Sequence, residues 1–393
     1  MATALLLTGF GHRPAARAVS VGTPPPPTYL QVDFVNDTDG FVTAQRGAHF
    51  WLATTVNDGS SWTLSKLTFG LELPTGSVTR ESGIDSGLSF ASATTGMTAG
   101  YKGSKCASPA DQSGCSPAVF VTTDGGRTWR RRMTLDPSKV IDGVEMATQR
   151  IGLVIVSSCK GLGTAAGGCG FDQKIFETRD AGLSWWSVHW NLGHVSDLHW
   201  RGASDAWMAT GPAPGDSDCA GSLYRTSDGG GSWTRVLRLK SECDLVSGFA
   251  GPDGWLATAQ AAGCTAGGCP EKLRATGDNG KKWKLTQGTT TWTGTDGFLE
   301  AAGLVDPLHG LLTFTLGSSL DTEGGIATSS DGGKTWNRSY PCYSIEPGGA
   351  SAPSSGQLWL AGSWVSYCSQ PRGTGLFESG DWGLAWKQVT TGL

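Results

Sequence analysis

The sequence predicts an all-β chain of seven similar units, each of four short antiparallel strands, arranged as a seven-bladed β-propeller. Three observations lead there. An eight-residue phrase, clearest as Thr122-Thr123-Asp124-Gly125-Gly126-Arg127-Thr128-Trp129, recurs seven times. Its closing tryptophans, Trp62, Trp129, Trp185, Trp233, Trp283, Trp336 and Trp386, are separated by steps of 67, 56, 48, 50, 53 and 50 residues. Such a period suits a unit that buries its faces only by stacking on its neighbours. Around each phrase lie short runs rich in β-branched and aromatic residues, bounded by Gly, Asp and Ser, and no helical periodicity competes with them.

The elements of one unit follow in order. Stretches such as Leu30 to Val35 and Val195 to Trp200 form the first strand. Runs that open near a glycine or a turn, such as Gly40-Phe41-Val42-Thr43-Ala44 and Ala206-Trp207-Met208-Ala209, form the second. A third, such as Val119-Phe120-Val121, leads into the phrase, and a fourth begins at its tryptophan, as in Trp233-Thr234-Arg235-Val236-Leu237. The phrase is turn chemistry. Its acidic position is held by Asn57, Asp124, Asp180, Asp228, Asp278, Asp331 and Asp381. That residue and the hydroxyl two places earlier can bind local backbone N–H groups, while the glycine two places later takes positive φ without steric cost. The tryptophan then covers the seam of its blade.

Composition narrows the class. The repeats run almost end to end through 393 residues, so residues 29–393 are expected to form one propeller after a separate 1–28 segment. A net charge of −4 gives no footprint for nucleic acid, and no run of eighteen apolar residues exists to span a membrane. Ala2 to Phe10 with Ala16-Arg17-Ala18 resembles a signal peptide lacking its charged start, and Pro24 to Pro27 reads as a stiff linker. Residues before Leu30 are expected to contribute little to the ring, which closes through Trp386 to Val389 or Tyr29 to Val35. Ten cysteines fall in local pairs, read as Cys106–Cys115, Cys159–Cys169, Cys219–Cys243, Cys264–Cys269 and Cys342–Cys368. Strand counting puts all of them on the face opposite the phrases. No Cys-x-x-Cys spacing supports zinc, so disulfides and a secreted or cell-envelope location are expected.

The Ser/Thr-x-Asp-x-Gly-x-Thr-Trp phrase resembles the Asp-box, or bacterial neuraminidase repeat, over about residues 29 to 390. That superfamily includes sialidases, xyloglucan-hydrolysing glycosidases, sortilin-type receptors and photosystem II stability and assembly factors. The Gly-Trp-x-Ala run ahead of a Thr-x-Asp-Gly-Gly box looks most like the last, non-catalytic group. A sialidase would need an arginine cluster for the substrate carboxylate, a Tyr nucleophile with its Glu, and an Asp acid. The Arg-Ile-Pro motif is absent, the nearest early arginine is Arg46, and Tyr101, Tyr224, Tyr340, Tyr343 and Tyr367 are expected in outer strands or loops.

The resulting expectation is a non-catalytic, monomeric propeller that binds a protein or glycan through the cysteine-bearing face. The alternative is a sialidase-like glycoside hydrolase at the central depression of that face. The inner strands look apolar and small, with Glu145 and Glu300 as the exceptions and weak catalytic candidates. Asp216, Asp218, Glu242 and Asp244 form an acidic rim, a candidate ligand site or Ca²⁺ site if Cys219 pairs with Cys243, against the plainer reading of a solvated loop. No cofactor is otherwise expected. His189, His194 and His199 recur at five-residue steps that strand geometry would scatter. Trp292, Trp364 and Tyr367 sit near connections on the cysteine face. Arg130-Arg131-Arg132 opens a fourth strand, where charge guards an exposed edge.

Overall fold

The computed structural model describes residues 27–71, 87–102, 115–158, 173–188, 195–211, 220–240, 242–260, 271–286, 297–316, 323–339, 345–354, 356–364 and 373–393. They form a seven-bladed β-propeller of four-stranded antiparallel blades. No helix of the described residues is long and apolar enough to cross a membrane.

Each blade is one uninterrupted stretch of chain. Blade 1 runs through Thr28–Phe34, Gly40–Arg46, His49–Thr55 and Thr63–Lys66, and blade 7 ends with Gly373–Ser379 and Lys387–Val389. The first strand begins earlier than expected: Thr28 pairs with Gln45 and Tyr29 with Ala44. Among the described residues no strand is exchanged to close the ring. Closure is lateral, through Phe34 stacked 4.5 Å from Trp359, the Phe34 N–H donating to Ser351 Oγ at 2.9 Å, and Tyr29 Oη meeting Thr391 Oγ1 at 3.2 Å.

The long first step between tryptophans has a local cause. In blade 2 the inner strand comes in two pieces, Gly70–Leu71 and Leu88–Phe90, which pair side by side with Gly96–Lys102. The extra residues enter there, and the other strands of the blade keep their usual lengths.

There is no single core. Seven hydrophobic clusters occupy the seven seams, each built from two adjacent blades. The seam between blades 4 and 5 shows the plan. Phe249 of the inner strand of blade 5 stacks 4.3 Å from Trp207 of the second strand of blade 4, and box Trp283 closes over both edge-on. Trp62 does the same for Phe34 and Trp359, and Trp129 stands edge-on to Phe90, which stacks on Phe41. The box glycine makes this fit possible. A Cβ on Gly280 would lie 2.2 Å from the Trp207 ring, and its φ of 74° is left-handed.

Candidate functional site: the inner ring and the boxes

The boxes form closed hydrogen-bond circuits. Thr122 Oγ1 accepts from the Gly126 N–H at 2.9 Å and donates to Asp124 Oδ1 at 2.8 Å. The same Oδ1 accepts from the Thr128 N–H at 2.8 Å, and Oδ2 accepts from Thr128 Oγ1 at 2.6 Å. These donors hold the box carboxyls low: Asp180, Asp228 and Asp331 fall to about 2, led by Ser184 at Asp180 and Ser232 at Asp228; at Asp331 burial is the largest single influence and raises the carboxyl, and the donors Thr335, Ser329 and Lys334 together outweigh it. Asn57 makes the same turn without a charge, accepting from the Ser61 N–H and donating to Ser61 Oγ. Two boxes are incomplete. Asp278 and Asp381 face Lys282 and Ala385 where the others have a hydroxyl, and keep only the Oδ1 contacts with the residue-four amide, at 2.9 and 2.8 Å, and with the first hydroxyl.

A second repeated arrangement lies on the inner strands. Opposite Phe41, Met97, Leu153, Trp207, Trp255, Leu311 and Trp359 of the second strands, the inner strands carry Asp33, Ser89, Glu145, His199, Gly248, Gly303 and Ser351 in turn. Four of them accept a backbone N–H from the next blade. Asp33 Oδ2 takes that of Phe90 at 2.7 Å, Ser89 Oγ that of Met146 at 3.0 Å, Glu145 Oε1 that of Trp200 at 3.0 Å, and Ser351 Oγ that of Phe34. In blade 4 the task passes to Asp197, whose Oδ2 accepts both the N–H and Oγ–H of Ser247 at 2.6 and 2.8 Å. Between blades 5 and 6 the ring substitutes close approach for a side chain, since a Cβ on Gly248 would lie 2.8 Å from the Leu304 nitrogen.

The inner strands are therefore more polar than the sequence suggested. Asp33, Asp197 and His199 join Glu145 there, while Glu300 stands on the inner strand Gly297–Leu304 of blade 6. Burial pushes the Glu145 carboxyl up to about 7, against the opposing pull of His199 and the Trp200 amide, and with a further rise from Asp197 and Asp33. Burial likewise lifts Asp33 to about 6, opposed by the Phe90 amide. His199 moves the other way from what burial alone would do. Asp197, 3.2 Å away, and then Glu145 outweigh the desolvation and raise it to about 9.

The other expected residues separate. Glu242 is buried and accepts from Arg274 Nη1 and Nη2 at 2.6 and 2.8 Å, from Thr258 Oγ1 at 2.7 Å and from Lys272 Nζ at 3.2 Å, so its lone pairs are occupied within blade 5. Asp244 stands on the same strand, Glu242–Ala250, and Asp216 and Asp218 lie outside the described residues. Cys115 is disulfide-bonded. Cys243 is on an inner strand, and the remaining cysteines, with His189, His194, Trp292, Tyr340, Tyr343 and Tyr367, fall outside the described residues; Trp364 ends the second strand of blade 7. Tyr101 and Tyr224 belong to second and third strands, not outer ones, because the register pairs Tyr101 with Gly70 and Tyr224 with Met208. Among the described residues no group of three or more His, Cys, Asp or Glu is placed to hold a metal ion.

Fold and ring together define a seven-bladed β-propeller whose inner strands are cross-tied by side chains. No family model matches the chain, and no curated protein matches it. Solved structures do. The chain is similar to a GH74 xyloglucanase from Xanthomonas campestris, with 14% identity and a TM-score of 0.55, over 94% of this chain and 55% of that one, so it spans about half the enzyme's length. It is also similar to the β-propeller domain of the Trilobed protease from Pyrococcus furiosus, which has an open velcro topology, with 10% identity and a TM-score of 0.52 over 93% and 98%. YCF48 bound to a D1 peptide aligns with 18% identity and a TM-score of 0.47 over 77% and 80%. At these identities the likeness is one of fold.

Proposed function

We propose that this protein is an exported, non-catalytic Asp-box propeller that recognises a protein or glycan partner through the loop-rich face opposite the boxes. The observation that carries this reading is the commitment of the inner carboxylates. Asp33, Glu145 and Asp197 each hold a backbone N–H of the neighbouring blade, the work of a tie and not of a group waiting for substrate. The described inner strands carry no arginine, so nothing there clamps a sialic acid carboxylate. Disulfide-bonded Cys115 supports an oxidising compartment.

One observation favours a second reading. A Glu145 carboxyl raised to about 7 is suited to general-acid work on a glycosidic bond, with Asp33 or Asp197 as the second carboxylate. A panel of fluorogenic glycosides, including a sialoside, separates the two. Binding is upheld by turnover no greater than a heat-killed control together with saturable capture of one partner. Turnover abolished by Glu145→Gln in a protein that still folds would replace it with the hydrolase reading.

A further inference from the structure

We propose that the outer rim of blades 2 to 5 is a second binding surface, for an acidic polysaccharide, separate from the loop-rich face. The outer strands are Thr63–Lys66, Arg130–Thr134, Trp186–Val188, Thr234–Arg238, Lys284–Leu285, Asn337–Ser339 and Lys387–Val389. Every charged residue on them is Lys or Arg, in a chain with 34 carboxylates against 30 cations. Guarding an open strand edge requires charge but not one sign, since an outward carboxylate also repels a second edge. The uniform sign is therefore left over after edge protection is accounted for.

The arginines gather on two blades: of the five exposed on these strands, four lie on blades 2 and 4 and one, Arg338, on blade 6. Arg130 and Arg131 of blade 2, Arg235 and Arg238 of blade 4 and Lys284 of blade 5 are exposed, and none forms an ion pair among the described residues. Arg132 belongs to packing instead, with its Cβ and Cγ 3.0 Å from the place a Cβ on Gly182 would take. The carboxylate that follows in the chain, Asp136, is turned onto the Ser138 amide at 2.9 Å. Between the two arginine pairs, blade 3 contributes Trp186, 39% exposed on a short outer strand.

Guanidinium forks match carboxylates, and an open indole face stacks on a pyranose ring. One exposed ring among the described residues of these four blades fits a saccharide chain better than a single-stranded nucleic acid, which such proteins hold by stacking successive bases. The negative net charge of the whole chain then confines the attraction to this rim.

The test uses the full chain, with a polyuronate oligosaccharide, a neutral dextran of equal length and an oligo-dT as probes, titrated over a range of salt. The polyuronate is expected to bind and dextran not to, with log affinity falling linearly against log salt. The combined charge reversal Arg130→Glu, Arg131→Glu, Arg235→Glu and Arg238→Glu is expected to weaken it at least about tenfold and to flatten the salt slope by roughly one per lost contact. Lys66→Glu with Lys387→Glu, on blades 1 and 7, should change affinity less than about twofold, and Trp186→Ala should weaken the polyuronate severalfold. Unfolding midpoints within a few degrees of wild type show that each variant is folded, and the milder Arg235→Gln with Arg238→Gln serves if the reversal does not fold. The proposal is overturned by unchanged polyuronate binding in the folded variants, by equal binding of dextran, or by oligo-dT binding more tightly with the greater dependence on Trp186. Variants that merely aggregate, with wild type retaining no probe, would return the rim to edge protection. Partner capture at the loop-rich face is unaffected by any of these results.

Discussion

The box ends and the inner ring are both sevenfold, yet they treat carboxylates in opposite ways. At the boxes one circuit is repeated, solvent is near, and every shifted aspartate is held below its ordinary value by hydroxyl and amide donors. On the inner ring the side chains differ at nearly every blade, and burial lifts Asp33 and Glu145 instead. A local circuit can be copied because its partners lie within eight residues. A tie between blades must suit the particular gap it crosses, so each one is individual.

The largest effects are expected where the two regions meet in a seam. Trp359→Ala removes a fully buried ring from the closing seam and should cost about 3–5 kcal/mol in urea denaturation. Gly280→Val should cost a similar amount, since it combines a clash against Trp207 with a strained φ. A cost below about 1 kcal/mol for either would mean that the seams yield more easily than the packing implies.

Next comes the box circuit. Thr122→Val leaves the buried Gly126 N–H without its acceptor and should cost about 1–3 kcal/mol. Asp124→Asn should cost much less, because Asn57 already builds the same turn; equal losses in the two variants would show that the charge, not the geometry, matters.

The sharpest contrast between the regions is the dependence on pH. Glu145 is raised from 4.5 to about 7 on folding, so the folded state holds the extra proton and stability falls as pH rises through that window. His199, raised from 6.5 to about 9, contributes stability that is complete below 6.5 and lost as pH rises through 9. The box aspartates act oppositely, with stability present above their ordinary value and lost as pH falls toward 2. The midpoint of thermal unfolding should therefore peak near pH 4 to 5 and decline toward pH 9. Asp33, raised from 3.8 to about 6, adds to the decline below pH 6, so Glu145→Gln should flatten the profile most clearly between pH 6 and 7, and an unchanged profile would detach the ring from it.

What could be read from the sequence divides along the same line. Trp62 to Trp386 and the box glycines announce themselves because each belongs to a phrase of eight consecutive residues that is copied from blade to blade. The four strands per blade follow from the runs between them. Asp33 and Asp197 stayed hidden because the amides they hold, those of Phe90 and Ser247, are some fifty residues away; His199 stood out only as one of three spaced histidines expected to scatter, and the structure gives it an ion pair with Asp197. One signal was present: aligning the inner strands on the second-strand residue opposite each end, such as Gly40, Gly96 and Gly152, puts Asp33, Ser89 and Glu145 in a single column.

Lateral closure has a topological consequence. Since among the described residues no strand is shared across the meeting of Tyr29 and Thr391, the ring they form has no privileged first blade. Circular permutants that join these ends by a short linker, and open the chain instead between any two blades, should fold to the same ring. The order of the blades around the axis, not the place where translation starts, is the property the architecture preserves.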